Sequence, residues 1–394
     1  MSHHSLKSPE FLRNPSPALA KMRAEGPLVR VKIPLIGLCW TTTTDTAARE
    51  VLKDDINFAR NPANAGGKDI SRYYWFLPRF MRPLTRNILS LDGDAHKRIR
   101  AAVDHSFSRA EIDKLRGEIT QVADHYLDQL DTEKPVDITE DYARLLPLDV
   151  ISILLGIKPK LRQKLARAIA PISKPTGVMT LLTALPGLYK TQHLLRQEIQ
   201  TIRTNSRAGL ISSLIHDDTN ALTDDEILSL AFVLFIAGHE TTLHLISDAV
   251  FAITEGAEFN APTSLAIEEF MRFFSPVMIT KPLFVRKTHE RFGQTLKQGD
   301  KVLANLIAAS HDPARFENPE DIQTERRPNA HIGFGFGPHV CLGMHLARAE
   351  TQIALERLFE RYPNLERAPK GAPPIYSQRY GFRGMNSLKV NLKP

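Results

Sequence analysis

The chain has 394 residues, 42% hydrophobic and 24% charged, with a formal net charge of +7 and two cysteines, Cys39 and Cys341. That composition describes a folded globular protein with a large core, and two lone cysteines exclude a disulfide framework, which fits a reducing cytoplasm. The positive charge favours an acidic partner, but Lys and Arg are dispersed rather than gathered into a patch with aromatic platforms, which argues against nucleic acid.

The N-terminal stretch "MSHHSLKSPEFLRNPSP" has no apolar core segment, so neither a signal peptide nor a membrane anchor is indicated. The longest apolar run, Leu230 to Gly238, is far too short to span a bilayer. No Gly/Ser linker, repeat or low-complexity run divides the chain, so 1–394 is read as one domain. Apolar spacings of three and four predict helices over 17–25, 45–53, 94–130, 139–155, 159–170, 190–216, 223–254, 263–274 and 342–361. Strand-like pieces are fewer: "LVRVKI", "CWTTTT", "KVLANL" and "SLKVNL". The fold class is therefore mainly α with small β-sheets. Irregular stretches at 61–87 and 171–189 are either functional lids or plain surface insertions.

One cysteine lies in "FGFGPHVCLG", residues 334–343, ahead of an apolar stripe formed by Leu342, Leu346, Ala349 and Ile353. The spacing places Cys341 at a helix N-terminus, where free N–H groups and the helix dipole favour a thiolate. Gly335, Gly337 and Gly343 let the backbone approach something flat and bulky. An inert buried cysteine is one reading. A nucleophile needs a His base and an oxyanion site, and structural zinc needs further ligands at short spacing, which are missing. A single thiolate bound to a metal held by something other than protein remains, and haem iron is the natural candidate. In its Phe334, Gly335, Gly337, His339, Cys341 and Gly343 the stretch resembles the haem-ligand signature of the cytochromes P450.

Thr223 opens "TDDE", a capping box with Glu226, and the helix that follows is apolar on nearly all sides through Ala237. Within it, "AGHETT" introduces Glu240, Thr241 and Thr242. His239 and His244 are five apart, about 140° round a helix, which rejects a zinc-protease pair. The hydroxyl could simply bond the carbonyl four residues back, beside a solvated Glu. The segment also resembles the P450 helix that crosses the distal face of the haem. By that resemblance Thr241 bonds the distal oxygen of dioxygen, Glu240 connects the site to solvent protons, and Ala237 and Gly238 leave room.

"EEFMRFF" sets Glu269 and Arg272 on one helix face amid aromatic residues, which suggests a buried pair. It resembles the P450 Glu-x-x-Arg pair, completed by Arg326, and all three are given a structural role. His96 and Arg100 in "HKRIR", with His339, resemble the family's propionate-binding cations. The position where many relatives carry a further Arg is Leu283 here, with Lys281 and Arg286 nearby. The 28 residues from Thr241 to Glu269 are few for a bacterial member, so the intervening helix is trimmed. "GFRGMNSLKV" resembles the C-terminal substrate-side hairpin.

The resemblance implies a P450 fold, with haem b (iron protoporphyrin IX) between the long helix and the Cys341 loop and helix. It further implies a cytoplasmic, monomeric monooxygenase that inserts one oxygen atom from O2 into a lipophilic small molecule, by hydroxylation or epoxidation. Electrons would come from a separate acidic ferredoxin and its reductase, meeting a basic surface with Lys97, Arg98, His345 and Arg348. A peroxide-driven peroxygenase and a non-catalytic haem-thiolate sensor are the alternatives. Expected pocket residues are Phe232, Phe235, Ile236, Val277, Met278 and Ile279, with Tyr73, Tyr74, Trp75, Phe76 and Phe80.

Overall fold

The structure, a computed structural model, describes residues 5–34, 36–73, 82–169, 178–217, 219, 221–259 and 263–393. Two units interleave along the chain: Met1–Tyr73, Ser247–Cys341 and Gly371–Asn386 form the first, and Tyr74–Ile246, Leu342–Lys370 and Ser387–Pro394 the second.

In the first unit Val29, Val31 and Ile33 alternate with Arg30 and Lys32, the period-two pattern of a half-buried strand. Leu28–Ile33 pairs antiparallel with Gly37–Thr42, which in turn runs parallel to Lys301–Leu303 through Trp40↔Val302. Leu283–Val285 and Phe58–Ala59 complete a five-stranded sheet. Trp40, Val51, Phe58, Leu283, Val302 and Ile332 belong to the core packed on it. The helix Asp45–Lys53 starts where the Thr44 hydroxyl accepts from Ala47 N at 3.2 Å, and its buried Ala47, Ala48, Val51 and Leu52 face inward. The strand Leu283–Val285 and the hairpin His289–Arg291 with Gln294–Leu296 were not expected from the sequence. Each has three residues, too few to show a period.

The second unit is mostly helical, with a small sheet ordered Val136–Asp137, Lys389–Asn391, Glu366–Arg367. The helix expected over 94–130 is corrected to three, Gly93–Asp104, Arg109–Lys114 and Arg116–Leu127. Ser108 causes one break, since its hydroxyl caps the next helix by accepting from Glu111 N. The region 139–155 begins as a π-helical turn, Thr139–Ala143, before the α-helix Leu145–Leu155. The helix expected over 190–216 starts earlier, as Val178–Thr204, and a separate helix Leu210–Ile215 follows. Pro186 reads as a breaker but lies inside the first of these. Packing wins there: a Cβ on the neighbouring Gly187 would lie 2.1 Å from Ala168 O, so only glycine permits this approach to Pro159–Ile169.

The long helix Asp224–Thr254 has the expected capping box, with Thr223 N donating to Glu226 Oε2 at 2.9 Å and Glu226 N to Thr223 Oγ1 at 3.3 Å. By length and composition it could cross a membrane, which corrects the expectation that no segment could. Its most apolar stretch is 67% buried within the protein, as in a core helix. The next helix in the chain is Thr263–Phe274.

Candidate functional site

Glu269 and Arg272 come from successive turns of Thr263–Phe274, and both are fully buried. Arg272 donates to the Glu269 carboxylate from Nε at 2.8 Å and Nη2 at 2.7 Å. The rest of its guanidinium donates to Ser310 O, Pro319 O and Asp321 O at 2.8–2.9 Å. Arg326 donates from Nε to both Glu269 oxygens at 3.1 Å and from Nη1 to Glu317 O at 2.7 Å. The expected trio is brought together, and the satisfied polar groups offset the desolvation of the charges. Sequence reasoning missed Gln323 N and Asn329 Nδ2, which donate to Glu269 at 2.9 and 3.0 Å.

The same unit carries the cysteine loop. Gly333 N donates to His331 Nδ1 at 3.1 Å, which leaves Nε2 to donate to Glu268 at 3.0 Å and tie the loop to the helix of Glu269. Gly335 N donates to Ile332 O at 2.7 Å, and Cys341 N to Phe334 O at 2.8 Å, closing the loop on itself. Gly335 and Gly337 have φ of +79° and +74°. A Cβ on Gly337 would stand 2.6 Å from Leu52 O, so that glycine serves packing on Asp45–Lys53. Gly343 has an ordinary φ of −85°, and its missing Cβ faces nothing nearer than 4.0 Å. The helix begins at Met344, later than expected, so Cys341 precedes its Gly343 cap rather than occupying the cap. Cys341 is half-buried and in no disulfide. Cys39 is fully buried, and burial pushes its thiol up.

On the long helix, Thr241 Oγ1 donates to Ala237 O at 2.9 Å and Thr242 Oγ1 to Gly238 O at 3.3 Å. Both hydroxyls make the bond to the carbonyl four residues back. Ala237 is exposed and Val233 and Thr241 are half-buried, an open stripe at steps of four on a helix otherwise largely enclosed. Gly238 is not on it, since a Cβ there would meet Ile151 at 3.0 Å and its smallness serves helix packing. Glu240 is only 4% exposed, so contact with solvent protons must pass through its neighbours. Glu350 was not legible in the sequence; it is fully buried on Met344–Arg361, and burial raises its carboxyl well above the usual range against the nearby Thr242 hydroxyl.

His96 and Arg100 lie one turn apart on Gly93–Asp104, His96 buried and Arg100 paired with Asp104 at 2.7 Å. His339 ends the short turn Gly337–His339. Arg98 is engaged with Glu226, while Lys97 is open and 3.6 Å from Asp94. Phe235 and Met278 are sealed in the packed interior, at 0% and 1% exposure, so neither lines open space; Ile236 and Val277 are half-open. Phe232 and Ile279 are both buried at 8%. Val277 bridges Phe382, and Met278 N donates to Gly381 O at 2.9 Å, which sets the C-terminal turn Tyr376–Met385 against this segment. Tyr74, Trp75, Phe76 and Phe80, and the side chain of Tyr73, lie outside the described residues.

Among the described residues no three His, Cys, Asp or Glu side chains are placed to hold a metal ion. A metal at Cys341 therefore needs donors from elsewhere, and a porphyrin supplies four. A half-open Cys341 thiol, on a loop that turns through Gly335 and Gly337 at positive φ, fits the single ligand that such a group needs.

The family model for cytochrome P450 matches residues 263–387. The polyketide biosynthesis cytochrome P450 PksS of Bacillus subtilis is 30% identical, over 97% of this chain and 97% of its own. The vitamin D(3) 25-hydroxylase of Pseudonocardia autotrophica is 30% identical over 99% and 97%. The crystal structure of the myxobacterial cytochrome P450 CYP267B1 in complex with myristic acid superposes with a TM-score of 0.90, at 30% identity and 99% coverage of both chains. The fold agrees with these relatives, and the chain belongs to the cytochrome P450 family of haem monooxygenases.

Proposed function

We propose that this chain binds haem b through Cys341 and inserts one oxygen atom from O2 into a lipophilic small molecule, by hydroxylation or epoxidation. The observation that carries this reading is the half-open Cys341 thiol at the end of a loop closed by its own backbone bonds and pinned through His331 to Glu268. Bound haem supplies the oxygen-activating redox chemistry, which a thiolate ligand promotes. Phe334, Gly335 and Gly343 shape the bed beside the thiolate. His96, Arg100 and His339 hold the carboxylates, while Glu269, Arg272 and Arg326 keep the loop in place.

Thr241 holds a proton at its Oγ1, where the bond to Ala237 O fixes the hydroxyl and leaves its oxygen able to accept. Glu240 passes protons toward it through neighbouring groups. Ala237 keeps that stretch of helix thin, and the apolar side chains of Phe232, Ile236, Val277 and Ile279 exclude water and favour a lipophilic substrate. The relatives support that class: one is named for polyketide biosynthesis, one for vitamin D(3) hydroxylation, and one holds myristic acid. Electrons arrive from an acidic ferredoxin in the cytoplasm, drawn by the net charge of +7.

The test is turnover with isotopically labelled dioxygen, an electron-supplying ferredoxin and reductase, and compounds first selected by their shift of the haem Soret band. One labelled oxygen atom in the product supports the reading. An oxygenated product that carries no label, or no oxygenated product from any compound that shifts the band, contradicts it.

A further inference from the structure

Between Asp149 and Glu198 the chain carries no acidic residue, although cations recur throughout the stretch. In the second unit this stretch forms the helix Pro159–Ile169, which buries Leu165, Ala168 and Ile169. Lys160, Lys164 and Arg167 are all exposed, and steps of four and three set them on one face, turned away from that apolar side. Among the described residues none of the three has a hydrogen bond or an ion pair. Arg162 is spent within the fold, since its Nε donates to Ile157 O at 3.0 Å.

Other helices of the protein interleave both signs of charge. Arg49 pairs with Asp45, Lys97 with Asp94, Arg100 with Asp104 and Lys114 with Glu111, each about one turn apart. Pro159–Ile169 has no acid to offer. Like charges one turn apart repel, and a cation in a first turn without acids opposes the helix dipole, so the arrangement works against the helix that carries it. A row of charge with a local cost and no local partner reads as one kept for another molecule.

The face continues onto the next helix. A Cβ on Gly187 would lie 2.1 Å from Ala168 O, so Val178–Thr204 crosses here at backbone distance. Within a turn of that crossing stand Arg167 on one helix and, on the other, Lys190 and Tyr189, the latter 54% exposed. Tyrosine beside cations suits a protein interface. The outward side of Pro159–Ile169 shows no exposed large apolar side chain to enter a bilayer, and charge alone holds a protein to lipid only weakly. Cations at helical steps over about 10 Å match carboxylates at the same steps on a helix of an acidic protein. The face is also one helix removed from the candidate site, because Leu145–Leu155, which ends just before it, packs through Ile151 on Gly238 of the long helix.

We propose that Lys160, Lys164 and Arg167, with Tyr189 and Lys190, dock an acidic helical carrier protein that presents an acyl chain to this enzyme. The proposal rests on the reading of the chain as a haem-thiolate oxygenase of lipophilic molecules. That reading gives the electron donor the surface around Lys97, and the delivery it still requires is of a lipophilic chain that water does not carry freely.

The test compares the haem-loaded wild type with the charge-reversed triple variant Lys160→Glu, Lys164→Glu, Arg167→Glu and the neutral triple variant Lys160→Gln, Lys164→Gln, Arg167→Gln. Binding of tetradecanoyl acyl carrier protein is measured by titration calorimetry, binding of free tetradecanoic acid by the Soret shift, and haem reduction with ferredoxin and its reductase. Carrier binding should weaken by about tenfold or more on reversal and by less on neutralisation, while the other two quantities stay within about twofold of wild type. Carrier binding within about twofold of wild type on reversal, or none by the wild type, overturns the proposal. Equal weakening for the carrier and the free acid overturns it too, since the defect would then lie with the acyl chain and not with docking. A reversal that spares the carrier but slows reduction gives the face to the electron donor, and one that spares the carrier but abolishes binding to phosphatidylserine vesicles gives it to a membrane. Calorimetry reads docking without haem chemistry, so carrier binding lost on reversal, with no Soret shift from the acyl chain in the wild type, keeps this face and removes the proposed substrate class.

Discussion

Glu269 and Arg272, three residues apart on one helix and both at 0% exposure, share two hydrogen bonds of 2.7 and 2.8 Å. The pair closes a polar knot that also ties down the backbone at Ser310, Pro319 and Asp321. Removing one member leaves the other charge buried and unmatched, which costs about 3–5 kcal/mol. Glu269→Gln and Arg272→Lys are therefore expected to lower the unfolding midpoint and the haem content together. A variant that keeps both, measured by thermal unfolding and by the haem-to-protein ratio, would remove this pair from the structural account.

Thr241→Ala tests proton delivery apart from folding. Alanine is the better helix former, and the lost hydroxyl bonds only within its own helix at Ala237 O, so stability and haem content should hold. If the hydroxyl positions protons, the variant consumes reductant and dioxygen but releases peroxide or water in place of product. Product formed per reductant at the wild-type ratio would leave Thr241 as an ordinary helix residue.

Asp248 carries a pH dependence. It is fully buried on the long helix, neither carboxyl oxygen has a partner among the described residues, and burial, opposed only by the Arg383 charge, pushes it up to about 7 from 3.8. The folded state thus holds the proton more tightly than the unfolded one. Stability from this source is complete below about 4 and is lost as the pH rises through about 7, a change on the order of 4 kcal/mol. Asp248→Asn should remove that part of the slope and gain on the wild type as the pH rises. Denaturant midpoints of the two proteins that run parallel from pH 4 to 8 would show that Asp248 does not titrate there.

Docking of an acidic ferredoxin on basic side chains should weaken with salt, since charges are screened beyond about 8 Å at physiological ionic strength. Lys97, at 76% side-chain exposure, is the open member of the expected set, because Arg98 is already engaged with Glu226. Lys97→Glu should reduce the rate of electron transfer at low salt and have little effect at high salt. An equal rate for both proteins at low salt would place the docking surface elsewhere.

What could be read from the sequence was local. "FGFGPHVCLG" holds the whole cysteine loop in ten residues, and Glu269 and Arg272 announce themselves by helical spacing among aromatic neighbours. Two further partners of that pair could not be read, because Gln323 and Asn329 reach it only after the chain has folded back over more than fifty residues. Asp248 was hidden for another reason. A helix buried on nearly all sides gives no polar face against which an inward carboxylate would look out of place. Pro186 misled because its local preference was overridden by the close approach of Gly187 to Ala168.

The most direct test of the central claim, that Cys341 is the haem's thiolate ligand, is the absorption spectrum of the reduced protein under carbon monoxide. The wild type should show the red-shifted band from which the family takes its name. Cys341→Ser should lack it, while Cys39→Ser, altering a thiol sealed in the sheet, should keep it unchanged. A Cys341→Ser protein that binds haem and still shows that band would contradict the account at its root.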